Sequence, residues 1–139
     1  GNGGSAAMAS HVSVDFTKQA GIRTVNFNEA DLITCFANDY GYGNWVAKAI
    51  EFYGDDGDVA ILISSSGKSP NMINGAVQAN KMNIPVITLT GFNEDNPLRM
   101  LGKLNFWLDS RAYNIIENTH QIWLLIVCDL IIGEIEHSA

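Results

Sequence analysis

The run Val59 to Ile63, apolar at every position and entered through Gly57-Asp58, constrains the architecture of this chain more than any other feature. A strand without polar alternation has both faces covered, which is the pattern of a parallel sheet between helices. Pro85 to Leu89 reads as a second buried strand and Leu104 to Leu108 as a last one. Ile22 to Phe27 alternates and reads as a further strand. Helical patterns fill the intervals: Ala6 to Gln19, ended by Gly21; Glu29 to Phe36; Asn44 to Phe52; Pro70 to Met82; a short Asn96 to Leu101; and a long Ile115 to Ile135. Pro70 suits a first helical turn, where its missing N–H costs nothing. Alternating strands and helices predict an α/β three-layer sandwich, with a Rossmann-like or flavodoxin-like sheet covered on both faces. In such sheets ligands bind beyond the carboxyl ends of the strands, so the loops after each strand are where function is sought.

With 139 residues, 47% of them hydrophobic, the chain is long enough for one domain with a real core. Eight Lys and Arg against fifteen Asp and Glu give a net charge of −7, which excludes nucleic acid as a bulk electrostatic partner. A bound phosphate must therefore be held by hydroxyls and backbone N–H groups. The two cysteines, Cys35 and Cys128, are far apart and in apolar surroundings, which predicts buried free thiols in a reducing compartment. The run Ile122 to Ile132 is interrupted by Asp129 and is short for a bilayer, and no secretory signal is visible. The expectation is a cytoplasmic protein with no membrane partner.

Two loops carry the polar chemistry. Gly1-Asn2-Gly3-Gly4-Ser5 precedes a helix, so its backbone can approach a bound anion at a helix N-terminus. A flexible tail and a dinucleotide fingerprint, Gly-x-Gly-x-x-Ala with Glu29 further on, are the other readings of that loop. Ser64-Ser65-Ser66-Gly67-Lys68-Ser69-Pro70 sets several hydroxyls and N–H donors around one helix start, a neutral cradle for a dianion. Its Gly67-Lys68-Ser69 imitates the end of a nucleotide P-loop, but the first glycine of that motif falls at Leu62, which rejects it. His11 and Asp15, four apart, share a helix face and so can hold one proton or metal together. Glu117 and His120, three apart, can do likewise, and each pair can equally be a plain surface pair. Trp45, Trp107 and Trp123 read as core or interface.

In order along the chain, five segments resemble the sugar isomerase (SIS) family and its phosphoheptose isomerases. They are Gly1 to Ala7 with His11; Ala37-Asn38-Asp39-Tyr40-Gly41; Gly57-Asp58-Val59 with Ile63 to Asn71; Val86 to Gly91; and Ile116-Glu117-Asn118-Thr119-His120. The resemblance implies a single SIS domain over residues 1–139, acting on a sugar phosphate. It implies phosphate contacts from Ser64, Ser65, Ser66, Ser69 and Thr90, and substrate contacts from Asn2, Ser5, Asp39 and Asn114. It implies isomerisation of sedoheptulose 7-phosphate by an acid/base set drawn from Asp15, Glu117 and His120. No cofactor is required, although some members hold zinc, which points to His11, Asp15 and Glu117 as ligands.

Asp15 stands where the family has Glu, and Glu117 where it has Gln. Leu125 occupies the position of the isomerases' second catalytic histidine and cannot move a proton. Relatives lacking that histidine include regulators, among them a protein that associates with the bacterial replication initiator, so a sensor or docking module is the alternative. Family members also carry helices and a strand ahead of the glycine loop. The expectation is thus an N-terminally incomplete domain with a gap in its sheet. Finally, Ile122 to Ile132 is apolar nearly all the way round, which predicts a homo-oligomer, a tetramer by the resemblance, with Trp123, Ile126 or Leu130 in the contact.

Overall fold

The computed structural model describes residues 1–135. Its elements, in order, are α1 (Gly4–Lys18), α2 (Ala30–Tyr40), α3 (Trp45–Tyr53), β1 (Ala60–Ser64), α4 (Pro70–Lys81), β2 (Val86–Thr90), a 3-10 turn (Arg99–Leu101), β3 (Leu104–Trp107) and α5 (Tyr113–Ile132). The strands form one parallel sheet in the order β1-β2-β3. Ile63 and Leu89 face one side, where Met8, Val12 and Phe16 of α1 meet Leu124 and Cys128 of α5. Leu62 and Val86 face the other, against Trp45, Val46 and Ile50 of α3 and Met72, Ala76 and Ala79 of α4. The three layers and both cores follow from the strands' two apolar faces.

The expected strand Ile22 to Phe27 does not form. Its alternate polar residues are fastened to α1 by side chains instead of to a sheet edge by backbone. The Thr24 N–H donates to Thr17 Oγ1 at 3.2 Å, Asn26 Nδ2 to Ser13 Oγ at 3.0 Å, and Asn28 Nδ2 to the Ala6 carbonyl at 2.9 Å. Ile22 and Val25 are left exposed. Helix α2 runs on past the expected end at Phe36, through Tyr40, before the chain turns at Gly41. The expected helix over Asn96 to Leu101 is only the short 3-10 turn, and α5 stops at Ile132. Cys35 is exposed on α2, contrary to expectation, because every residue of that helix retains some solvent contact, whereas Cys128 is buried. Asp39 and Asp31 on the same helix push the Cys35 thiol up.

At twenty residues, α5 is long and apolar enough, by length and composition, to cross a membrane. Ile116, His120, Leu124 and Cys128 on its inner side are buried against the sheet. Its outer stripe, Ile115, Ile122, Ile126 and Leu130, is exposed.

Candidate functional site

The carboxyl ends of β1 and β2 lie side by side, with Ser64 in register with Thr90. After Ser64 the chain turns back on itself, and the Gly67 N–H donates to the Ser64 carbonyl at 3.0 Å. Gly67 has φ 65°, and an added Cβ would overlap the Asn96 side chain, so only glycine closes this turn. The Ser64 and Ser69 hydroxyls meet at 3.2 Å. Ser69 thus turns away from its N-cap role, and no side chain caps the first turn of α4. Ser66 Oγ accepts the Lys68 N–H at 3.3 Å. Ser65 is buried with its Oγ unpartnered, while its carbonyl accepts the Gly91 N–H at 2.8 Å. The loop therefore presents hydroxyls and N–H groups at the positive end of a helix and brings no carboxylate of its own.

The opening loop reaches the same place. Asn2 and Asn71 exchange side-chain hydrogen bonds, Asn2 Nδ2 to Asn71 Oδ1 at 3.0 Å and Asn71 Nδ2 to Asn2 Oδ1 at 2.8 Å. Tyr42 Oη adds a bond to Asn2 Oδ1 at 3.2 Å. Asn2 lies just ahead of α1 and Asn71 in the first turn of α4, so two helix N-termini lacking side-chain caps converge. Ser5 is buried in the first turn of α1.

Helix α5 runs parallel to α1 and delivers the titratable groups. The Glu117 carboxylate lies against the Cα of Gly4 so closely that any side chain there would collide with it. His120, one turn on, is 0% exposed and its Nε2 lies 3.1 Å from the Thr90 carbonyl. A carbonyl only accepts, so Nε2 carries the proton and Nδ1, buried and unpartnered, carries the lone pair. Burial lowers the His120 pKa, opposed by its bond to Thr90, so the ring is neutral near pH 7.

Other expected residues stand apart. His11 and Asp15 meet each other at 3.4 Å, on a part of α1 about 10 Å along the helix axis from Gly4. Among the described residues no three His, Cys, Asp or Glu side chains come together as a metal site, so Glu117 does not join that pair. Two donors do not make a zinc centre, which requires three or four protein ligands. Leu125 packs into the α1–α5 core. Asp39 bonds within its own helix, accepting from Asn38 Nδ2 at 2.9 Å. Asn114 is exposed at the start of α5, its carbonyl accepting from Asn118 Nδ2 at 2.7 Å. Sequence reasoning missed the roles of Asn71, Tyr42 and Asn96. Asn71 directly follows the serine loop, and that adjacency was the available signal. Nothing local marked the other two.

The geometry has counterparts. Residues 1–91 match the family model described as the SIS domain. The phosphoheptose isomerase of Fusobacterium nucleatum is 31% identical over 93% of this chain and 69% of its own length. That of Burkholderia pseudomallei is 33% identical over 99% of this chain and 71% of its own. The solved phosphoheptose isomerase of Neisseria gonorrhoeae superimposes with a TM-score of 0.87 at 30% identity, over 94% of this chain and 73% of that one. Matched by that family model over residues 1–91 and by these relatives along nearly its whole length, the chain belongs to the SIS-domain family and to its phosphoheptose isomerase-like branch.

Proposed function

We propose that the chain is an aldose–ketose isomerase acting on a sugar phosphate of the sedoheptulose 7-phosphate type. The observation that carries this is the arrival of Glu117 and His120, one helical turn apart, at the point where the glycine loop and the end of β2 meet the serine loop. The phosphate rests on the hydroxyls of Ser64, Ser66 and Ser69 at the N-terminal end of α4, where no carboxylate of the loop opposes it, and Thr90 lies buried beneath them. Asn2 and Ser5 line the approach of the carbon chain.

Isomerisation moves one proton between neighbouring carbons and another between their oxygens. Glu117 removes the proton from C1 of the ketose, giving an enediolate whose O1 proton passes to O2. C2 then takes the proton back from Glu117, and the aldose results. His120, wholly buried on the Thr90 carbonyl, holds the end of β2 beneath the site and does not touch the substrate. Incubation with sedoheptulose 7-phosphate, followed by NMR, is expected to show an aldose phosphate. Absence of product from it and from a panel of other ketose phosphates, with or without zinc, would sink the reading. Likeness to phosphoheptose isomerases supports the enzyme over a sensor that has lost its chemistry, the reading that Leu125 suggested.

The same reading holds the protein to be cytoplasmic and a homo-oligomer, a tetramer by family likeness. Support for assembly comes from the stripe Ile115, Ile122, Ile126 and Leu130 on the outer face of α5, with Leu130 75% exposed. Spacings of seven and four place these on one side of the helix. Covering each would contribute about 1.5–3 kcal/mol before entropy is subtracted. Light scattering is expected to show an oligomer that Ile126→Glu dissociates. A monomeric wild type at micromolar concentration, or an unaltered Ile126→Glu oligomer, would overturn it.

A further inference from the structure

Tyr42 carries the turn between α2 and α3 onto the candidate site, and neither the phosphate cradle nor the proton transfer uses it. It is 55% exposed, and its Oη lies 3.2 Å from Asn2 Oδ1. The turn that bears it is pinned to α4, where Asn74 Nδ2 donates to the Gly43 carbonyl at 2.9 Å and to Asn44 Oδ1 at 3.0 Å. Asn74 lies three residues beyond Asn71 on α4. Asn71, 1% exposed, holds the Asn2 amide in reciprocal bonds. Both partners of the Asn2 side chain thus belong to α4 or to a turn fastened to α4.

The glycine loop needs such a hold. Three of its first four residues are glycine, and Gly3, at φ 53°, has no neighbour that an added Cβ would meet. A backbone of this kind has wide freedom and few contacts to limit it. Two bonds from Asn2 to a single amide act as a hinge, and a third from a separate element stops the hinge. A phenol hydroxyl both donates and accepts, so it serves whichever way the paired amides are turned. We infer that Tyr42 is a positioning residue for substrate binding, whose hydroxyl braces Asn2, and with it the glycine loop, at the distance from the serine loop that a sugar phosphate spans. The inference rests on the phosphosugar reading above, in which Asn2 lines the approach of the carbon chain.

Tyr42→Phe removes the hydroxyl and keeps the ring. Asn2 lies away from the reacting carbons, so KM for sedoheptulose 7-phosphate is expected to rise about 3- to 10-fold with kcat changed less than about twofold. Calorimetry separates a brace on Asn2 from general support of the site. Kd for sedoheptulose 7-phosphate is expected to weaken as KM does, while Kd for inorganic phosphate, which the serine loop holds without Asn2, stays within about twofold. In an Asn2→Ala background the loss on Tyr42→Phe is expected to vanish. Unchanged sugar-phosphate binding in Tyr42→Phe would overturn the inference. So would an equal loss for inorganic phosphate, or an undiminished loss over Asn2→Ala, either of which makes Tyr42 a packing residue. If Tyr42→Phe loses its far-UV spectrum, Tyr42 is likewise a folding residue and the inference fails. A wild type that binds sedoheptulose 7-phosphate without converting it sinks the isomerase reading, and the comparison of Kd values still decides for or against Tyr42. A wild type that binds no sugar phosphate overturns both.

Discussion

Helices α1 and α5 each carry an acid and an imidazole about one turn apart, His11 with Asp15 and Glu117 with His120, and the two pairs have different fates. The first is held by its own two members at 3.4 Å, with the side chains 57% and 25% exposed. In the second, the members turn to different partners: Glu117 lies on Gly4 and His120 bonds the end of β2. A pair closed on itself in water has its charges screened and its geometry loosely held. Residues fixed by third parties in a partly desolvated place keep one orientation, and His120 keeps one tautomer, the definition that acid/base chemistry requires. Spacing on a helix brings two groups together. What surrounds the helix decides whether they can act.

The largest effect that separates the pairs is chemical. Glu117→Gln is expected to lower kcat by about 10²- to 10⁴-fold in the sugar-phosphate isomerase assay, while Asp15→Asn changes it by only a few-fold. An Asp15→Asn enzyme as crippled as Glu117→Gln would erase the distinction. Next comes the support beneath Glu117. Gly4→Ala inserts a methyl where the carboxylate lies, so the carboxylate must move, and a misplacement of about 1 Å is expected to cost on the order of 10²-fold in kcat with the far-UV spectrum unchanged. Unchanged kcat would show that Glu117 does not act from this position.

A smaller effect is carried by pH. The His120 pKa is lowered in the folded protein below the ordinary 6.5, chiefly by burial. The unfolded chain then binds more protons than the folded one as pH falls below about 6.5, so stability is complete above that pH and declines beneath it. Urea unfolding between pH 7.5 and 5 is expected to show this decline, and His120→Gln to flatten it. An equally steep profile in that variant would assign the effect elsewhere. Smallest of all is His11→Ala, which removes an exposed pair and is expected to change stability by about 0.5 kcal/mol or less at pH 7. A cost several times larger in the same experiment would mean that the first pair is built into the fold.

The two candidate loops were legible because glycines and serines ahead of a helix leave few alternatives for the backbone. Val59 to Ile63 gave away β1 for the same reason: an apolar residue at every position needs cover on both sides. Ile22 to Phe27 misled because alternation is a local pattern, whereas a strand requires a neighbour's backbone. Thr17, Ser13 and the Ala6 carbonyl on α1 took its polar groups instead. Asn96 left no local mark at all, since its partners at Gly67, Thr90 and Arg99 come together only through the fold.

By itself, then, the sequence determined the α/β alternation, the phosphate-friendly chemistry of the Ser64–Ser69 loop and the surplus apolar surface of α5. These are local properties, set by residue type and period. The tertiary structure alone decided that Glu117 stands at the glycine loop and His120 at the end of β2 while His11 and Asp15 close on each other, that Leu125 packs on the core, and that Asn96 holds Thr90. Each of those depends on which backbone from a distant part of the chain lies within about 3 Å, the range over which a hydrogen bond selects one orientation over another.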